Sequence, residues 1–239
     1  MSGAAIRLFC WQGERARLGP WEPGSSVAYL SPAAGGAGLS TRFVRRCLAE
    51  LASLGYRQVV TGALARAEQE GFLRAGFQVG ERLCVLARPL RERPPAVPRP
   101  PGVVVSPGGD RAAALELDAA AFGPGRHLGA SGLDEALSAT ARARLYQAAL
   151  AEPRVPVGYA VVGLGGGEGF VQRLAVHPNH QRAGVGTALV TEALRWLARW
   201  RAARALVNTQ PDNQPALALY ERLGFVRQPD GLAVLSARL

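Results

Sequence analysis

The chain has 239 residues, 48% of them hydrophobic, and a formal charge of +10 from 28 basic residues, all arginine, against 18 acidic ones. That is enough to bury a sizeable core, as one large domain or two small ones. No apolar run reaches the ~18 residues a membrane helix needs, and the N-terminus lacks the basic, apolar and small-residue regions of a secretory leader, so a cytoplasmic protein with no membrane contact is expected. Cys10, Cys47 and Cys84 are far apart in apolar sequence with no C-x-x-C spacing, which predicts buried thiols and argues against a disulfide framework or a metal site. Residues 1–100 hold 14 Arg against 7 acids and residues 101–239 hold 14 against 11, so the positive excess sits in the first part. Such a field draws in polyanions, small or polymeric.

In chain order, a turn at Gly38 precedes a helix with Phe43, Val44, Cys47, Leu48, Leu51 and Leu54 on one face and Arg42, Arg45, Arg46 and Glu50 on the other. A strand at Val59-Val60 and the segment Phe72–Phe77 follow. Arg91 to Gly102, R-E-R-P-P-A-V-P-R-P-P-G, cannot form helix or a central strand and reads as a semi-rigid linker. Beyond it, Val103–Val105 is a strand, Asp110–Phe122 a helix, Gly123–Gly132 a loop and Leu133–Ala139 a helix. Arg144–Leu150, Val155–Leu164 and Gly169–Val176 read as successive strands.

Residues Val176–Leu189, V-H-P-N-H-Q-R-A-G-V-G-T-A-L, join the last of these strands to an amphipathic helix. Gly184 and Gly186 let main chain approach a ligand with no Cβ in the way, and the free N–H groups and dipole of the first helical turn favour a diphosphate. A turn that merely packs a helix on a sheet would use the same residues. Ala203–Val207 then forms a strand, N-T-Q-P-D-N-Q-P breaks the chain, and Ala216–Phe225 makes a short helix that ends at Gly224.

Gln181-Arg182-x-Gly184-x-Gly186 followed by Asn213-x-x-Ala216-x-x-Leu219-Tyr220-x-x-x-Gly224-Phe225 resembles the GNAT superfamily of acyl-CoA-dependent N-acyltransferases, over about residues 102–239. The resemblance implies an α/β fold with a mixed sheet, one complete domain over 102–239, a linker over 91–101 and, over 1–90, a degenerate half-domain. That half-domain resembles a second, worn copy: Gly38 matches Gly184 at an offset of 146, and Phe72–Phe77 match Tyr220–Phe225 at 148. In it Ser40 replaces the second glycine, Gly62 stands for Asn208 and Phe72 for the tyrosine, so a structural role is expected. The residues ahead of Gly38 are too few for the front strands and the acceptor loop of the fold.

For the site, the resemblance implies that acetyl-CoA is the acyl donor. Main-chain groups of Leu174, Ala175 and Val176 would hold the pantetheine arm, and Gln181, Arg182, Ala183, Gly184, Val185, Gly186 and Thr187 the diphosphate. Asn208 and Asn213 would lie near the coenzyme, and Tyr220 would be the general acid. A phenol with pKa near ~10 stays protonated at neutral pH and can return a proton to the departing thiolate. Asn213 equally suits the turn before a helix with Pro215 at its first position. The acceptor is a primary amine of a small molecule or a protein N-terminus, with no metal required, and a homodimer is compatible with this plan.

Relatives often carry a basic glutamate on the central strand, where Phe170, Gln172 and Arg173 stand here. Glu168 lies about 20 Å along an extended strand from Leu174, at ~3.3 Å per residue. His127 in the acceptor loop is the remaining candidate base, acting directly or through water, whereas His177 and His180 support the glycine turn or face solvent. Two other readings stand beside acetyl transfer. One is a non-catalytic acyl-CoA-binding sensor or scaffold. The other, a nucleic-acid-binding protein, rests on charge alone, without aromatic platforms in basic context, a helix-turn-helix or a zinc motif, so no specific nucleic acid is expected.

Overall fold

The computed structural model describes residues 6–22, 24–33, 38–91, 100–123 and 126–239. The chain divides into two compact units, Met1–Cys84 with Pro229–Leu239, and Val85–Gln228. Among the described residues no helix is long and apolar enough to cross a membrane.

In the first unit, strands β1 (Arg7–Trp11), β2 (Glu14–Pro20) and β3 (Val27–Pro32) run antiparallel. Helix α1 (Thr41–Ser53) then carries the chain to β4 (Gln58–Ala65), which pairs in parallel with β3. Helix α2 (Arg66–Arg74) leads into β5 (Gln78–Pro89). The apolar stripe of α1 buries Phe43, Val44, Cys47 and Leu51 against Leu18, Leu30, Val59, Phe72 and Leu235. Leu54 does not continue the stripe: it is the C-cap residue, where the helical period ends, and it is exposed. Cys10 is exposed too, contrary to the sequence expectation, because period-2 alternation on β1 turns Phe9 and Trp11 towards the core and Cys10 away from it. The front strands expected to be missing are present, since short hairpins fit them into the residues ahead of Gly38.

The second unit holds β6 (Val103–Pro107), α3 (Arg111–Phe122), α4 (Ala130–Ser138), β7 (Arg142–Leu150), β8 (Pro156–Gly165) and β9 (Glu168–Val176). After a 3-10 turn, Pro178–His180, come α5 (Val185–Arg199), β10 (Arg204–Thr209), α6 (Gln214–Arg222) and the two-residue β11 (Val226–Arg227). Strands β6 to β9 pair antiparallel in sequence order, and β10 joins β9 in parallel. Val85–Pro89 of β5 serves this unit, pairing with β11 through Leu86 and Ala87. Asp110 starts α3 as expected, its carboxylate accepting from the Ala112 N–H at 2.8 Å. The two faces of the sheet divide cleanly. Tyr159, Val161 and Ala175 pack with Ala114 and Leu117 of α3 and Leu133 of α4, whereas Gly158 and Gly169 meet Val185, Leu189 and Leu197 of α5.

These boundaries differ from the expected 1–90, 91–101 and 102–239. Most of the proline-rich stretch, 92–99, lies outside the described residues. The last strand, β12 (Leu232–Arg238), completes the first unit, because its main chain pairs with β4 on one edge and with Gln78–Leu83 of β5 on the other.

Candidate active site

The site begins where two parallel strands part. Strands β9 and β10 pair only through Gly169↔Ala205, Phe170↔Leu206 and Val171↔Val207, yet β9 runs on to Val176 and β10 to Thr209. A bulge marks the parting point: Val161 and Val162 of β8 face Arg173 and Val171, leaving Gln172 as the extra residue. From there to Val176 the β9 edge towards β10 has main-chain groups without a strand partner, as an extended ligand requires. Leu174, Ala175 and Val176 all lie on this edge, and their other edge is held by Ala160, Tyr159 and Gly158.

The chain then reaches the start of α5. The His177 ring Nδ1 accepts from the Asn179 N–H at 3.3 Å, and the Gln181 side chain donates to the Val176 carbonyl at 3.1 Å, so both residues build the turn. Arg182 (φ 61°) and Gly184 (φ 85°) adopt left-handed conformations, and Arg182 presents its side chain to solvent. Gly184 is the N-cap without a side-chain capping bond, and the first intrahelical bond runs from the Ala188 N–H to the Gly184 carbonyl. The amides of Val185, Gly186 and Thr187 therefore have no acceptor among the described residues, and the dipole adds about half a positive charge at this end. Gly186 also serves packing. A Cβ there would lie 3.3 Å from Leu219 Cδ2, so its small size admits α6 against α5.

Tyr220, on α6, is 4% exposed and packs edge-on against Phe225 with ring centroids 5.6 Å apart. Burial pushes its phenol pKa above the ordinary value, so it is protonated at neutral pH. Its hydroxyl has no hydrogen-bond partner among the described residues. Asn213 caps α6: Oδ1 accepts from the Ala216 N–H at 3.3 Å, and Nδ2 donates to Thr209 Oγ1 at 3.1 Å. Asn208 is exposed near the end of β10.

On the α3 and α4 face, His127 Nδ1–H donates to the Gly123 carbonyl at 3.1 Å, so Nε2 is the ring nitrogen not engaged by this bond. Glu168 is bound to Arg204 at 2.6 Å, at the paired end of β9 and β10 and away from the opening. Gln172 Oε1 is buried and accepts no hydrogen bond among the described residues. A cluster the sequence reading missed lies beside it. Asp118, fully buried, accepts from Tyr159 Oη at 2.5 Å, from Arg173 Nε and Nη2 at 2.7 Å each, and from the Leu128 N–H at 2.5 Å. Its signal was an acid in A-A-A-L-E-L-D-A-A-A-F at helical spacing from Ala114 and Leu117, the buried face of α3.

The first unit holds local parallels to these features. Phe72 stacks edge-on with Phe77 at 5.2 Å, as Tyr220 does with Phe225. Gly76 (φ 102°) ends α2 as Gly224 (φ 81°) ends α6. The small residue is on the opposite helix: a Cβ on Gly71 would sit 1.8 Å from the Leu39 carbonyl oxygen, the mirror of the Gly186–Leu219 approach. The start of α1 is already filled. The Glu14 carboxylate accepts from both the N–H and Oγ of Ser40 at 2.6 Å, and Ser40 Oγ accepts from the Phe43 N–H. A protein carboxylate occupies the place where the matching turn of α5 has bare amides.

The second unit is thus an α/β domain whose mixed sheet parts beside the uncapped start of α5. Residues 114–225 match the Acetyltransferase (GNAT) family. Over 59 residues the chain is 39% identical to N-alpha-acetyltransferase 30 of Xenopus laevis, a stretch covering 25% of this chain and 22% of that protein. With mycothiol acetyltransferase of Catenulispora acidiphila it shares 27% identity over 176 residues, 64% of this chain and 53% of the other. The chain thus spans from about a fifth to about half of the length of these curated relatives. The structure of a tandem GNAT protein from the clavulanic acid biosynthesis pathway shares the fold, with a TM-score of 0.70 at 15% identity over 99% of this chain and 84% of that one.

Proposed function

We propose that the protein transfers the acetyl group of acetyl-CoA to a primary amine, of a small molecule or a protein N-terminus, by direct attack in a ternary complex. The observation that carries this reading is the parting of β9 and β10 next to the uncapped start of α5. Free strand groups at Leu174, Ala175 and Val176 suit the pantetheine arm, and one N–H there polarises the thioester carbonyl. The amides of Gln181 to Thr187 suit the diphosphate, with the exposed Arg182 guanidinium adding a charge-assisted contact. Asn208 completes the lining, and Asn213 contributes through α6, whose first turn it caps.

The amine nitrogen bonds to the acetyl carbon, the C–S bond breaks, and the sulfur leaves with the bond's electrons. Tyr220 donates its proton to that sulfur, and the proton that the acylated nitrogen sheds in becoming an amide returns to the phenolate. The burial that raises the phenol pKa also raises the proton affinity of a thiolate beside it, so the transfer stays matched. An alkylammonium of pKa ~10.4 must first lose a proton, at a cost of about 4 to 5 kcal/mol at pH 7. The free Nε2 of His127 is the group we assign to that step.

Residues 1–90 are read as a degenerate copy with a structural role, in a tandem plan supported by the Phe72–Phe77 and Tyr220–Phe225 parallel. The reading places the protein in the cytoplasm, as a monomer or homodimer, with no metal, membrane or specific nucleic-acid partner. One observation favours a second reading, a non-catalytic acyl-CoA sensor: no carboxylate stands at Phe170, Gln172 or Arg173. Release of free thiol from acetyl-CoA in the presence of a panel of amines separates the two. Coenzyme binding without thiol release from any amine supports the sensor, and absence of binding overturns both.

A further inference from the structure

We propose that Asp118, Tyr159 and Arg173 are positioning residues for the acceptor amine, fixing the segment after α3 against β8 and β9. The inference rests on the acetyl-transfer reading and names residues that set its acceptor side. Four donors surround the Asp118 carboxylate, two from the Arg173 fork, one from Tyr159 and one from the Leu128 main chain, so its lone pairs are fully used. A sealed carboxylate in this state is no general base. Tyr159 is equally committed: burial and then the Asp118 hydrogen bond raise its pKa and keep the phenol protonated.

What remains for the cluster is placement. Arg173 Nη2 also donates to the Arg126 carbonyl at 2.8 Å, and the guanidinium lies 3.6 Å from the centroid of the Phe122 ring. Phe122, Arg126 and Leu128 are thereby fastened at three points to a single β9 side chain and its partner. That side chain sits next to the Gln172 bulge and one residue before Leu174, where the open edge of β9 begins. The segment also carries His127, the assigned base. A buried ion pair is a weak source of stability, and in a helix as rich in Ala and Leu as α3 an apolar contact would hold the core as well. Only a directional pair couples a loop carbonyl, a loop amide and an aromatic ring to one strand position.

The test uses Asp118→Asn and Arg173→Lys in the full chain, with the amine giving the fastest thiol release as acceptor. Each variant is expected to raise the acceptor KM at least ten-fold, to lower kcat by a smaller factor, because His127 rides on the same segment, and to leave the calorimetric Kd for coenzyme A within two-fold. Hydrogen exchange at the Leu128 amide is expected to quicken at least ten-fold in Asp118→Asn. An unchanged acceptor KM alongside faster Leu128 exchange overturns the proposal. So does a parallel loss of coenzyme affinity and acceptor affinity, which is what general loosening would produce. If the wild-type protein itself does not bind coenzyme A, the acetyl-transfer reading fails and takes this inference with it. Wild-type turnover with an unaltered acceptor KM in both variants overturns this inference alone.

Discussion

Replacing Tyr220 with Phe deletes a single oxygen, and the surroundings make its effect separable from folding. The ring is 4% exposed and its packing on Phe225, 5.6 Å between centroids, does not involve the hydroxyl. No partner among the described residues loses a hydrogen bond, so the stability change should stay within about 1 kcal/mol. The chain supplies its own control, because Phe72 occupies the matching place in the first unit, fully buried and 5.2 Å from Phe77. General acid catalysis contributes about 10²- to 10⁴-fold, or roughly 3 to 5.5 kcal/mol of barrier. Tyr220→Phe is therefore expected to lower kcat at least 100-fold with an unchanged coenzyme Kd and an unchanged melting temperature. Thiol release followed under saturating acetyl-CoA and amine reads the first quantity, and calorimetry the others. Full wild-type rate in the variant would refute the role of the phenol.

Further consequences concern the turn, the cap and alkaline stability. Gly184→Ala meets nothing closer than Pro100 at 3.6 Å, so its effect is backbone strain at φ 85°, about 1 to 2 kcal/mol. Relief of that strain should displace the α5 amides and weaken coenzyme binding about ten-fold, and an unaltered Kd would contradict their role. Asn213→Ala should cost about 1 kcal/mol in urea unfolding as a lost cap, with coenzyme affinity changed less than three-fold; a large affinity loss at constant stability would instead mark a direct contact. Burial, then the nearby Glu14 charge, pushes the Cys47 thiol up to about 12, whereas an unfolded thiol ionises near ~8.5. Because the folded-state pKa is the higher, the contribution is complete below ~8.5 and declines as pH rises towards the folded value, by about 1.4 kcal/mol per unit. Urea midpoints should therefore be flat from pH 7 to 8, fall above pH 9, and fall later in Cys47→Ala. Identical pH profiles for the two proteins would show that Cys47 plays no part.

Local signals carried furthest. The glycine turn, the start of α3 at Asp110 and the end of α6 at Gly224 were legible because each depends on a few neighbouring residues and their φ, ψ demands. Interactions between distant residues were not. Nothing near residue 232 says that its strand pairs with β4 and β5, since strand pairing depends on partners elsewhere in the chain. Asp118 drew no notice in the sequence, because its partners Tyr159 and Arg173 lie 41 and 55 positions away and only the fold brings them onto it. The packing of Gly186 against Leu219 was likewise hidden, because it leaves no mark in the turn itself.

The central claim is that bare main-chain amides at the start of α5 hold the phosphates of coenzyme A. Titrating the isotope-labelled protein with coenzyme A, and following backbone amide resonances, tests it directly. The account predicts one site per chain, with saturable shifts concentrated at Val185, Gly186 and Thr187 and none of comparable size at Ser40, whose N–H and hydroxyl Glu14 already holds. Shifts centred elsewhere, or none up to millimolar coenzyme, would contradict it.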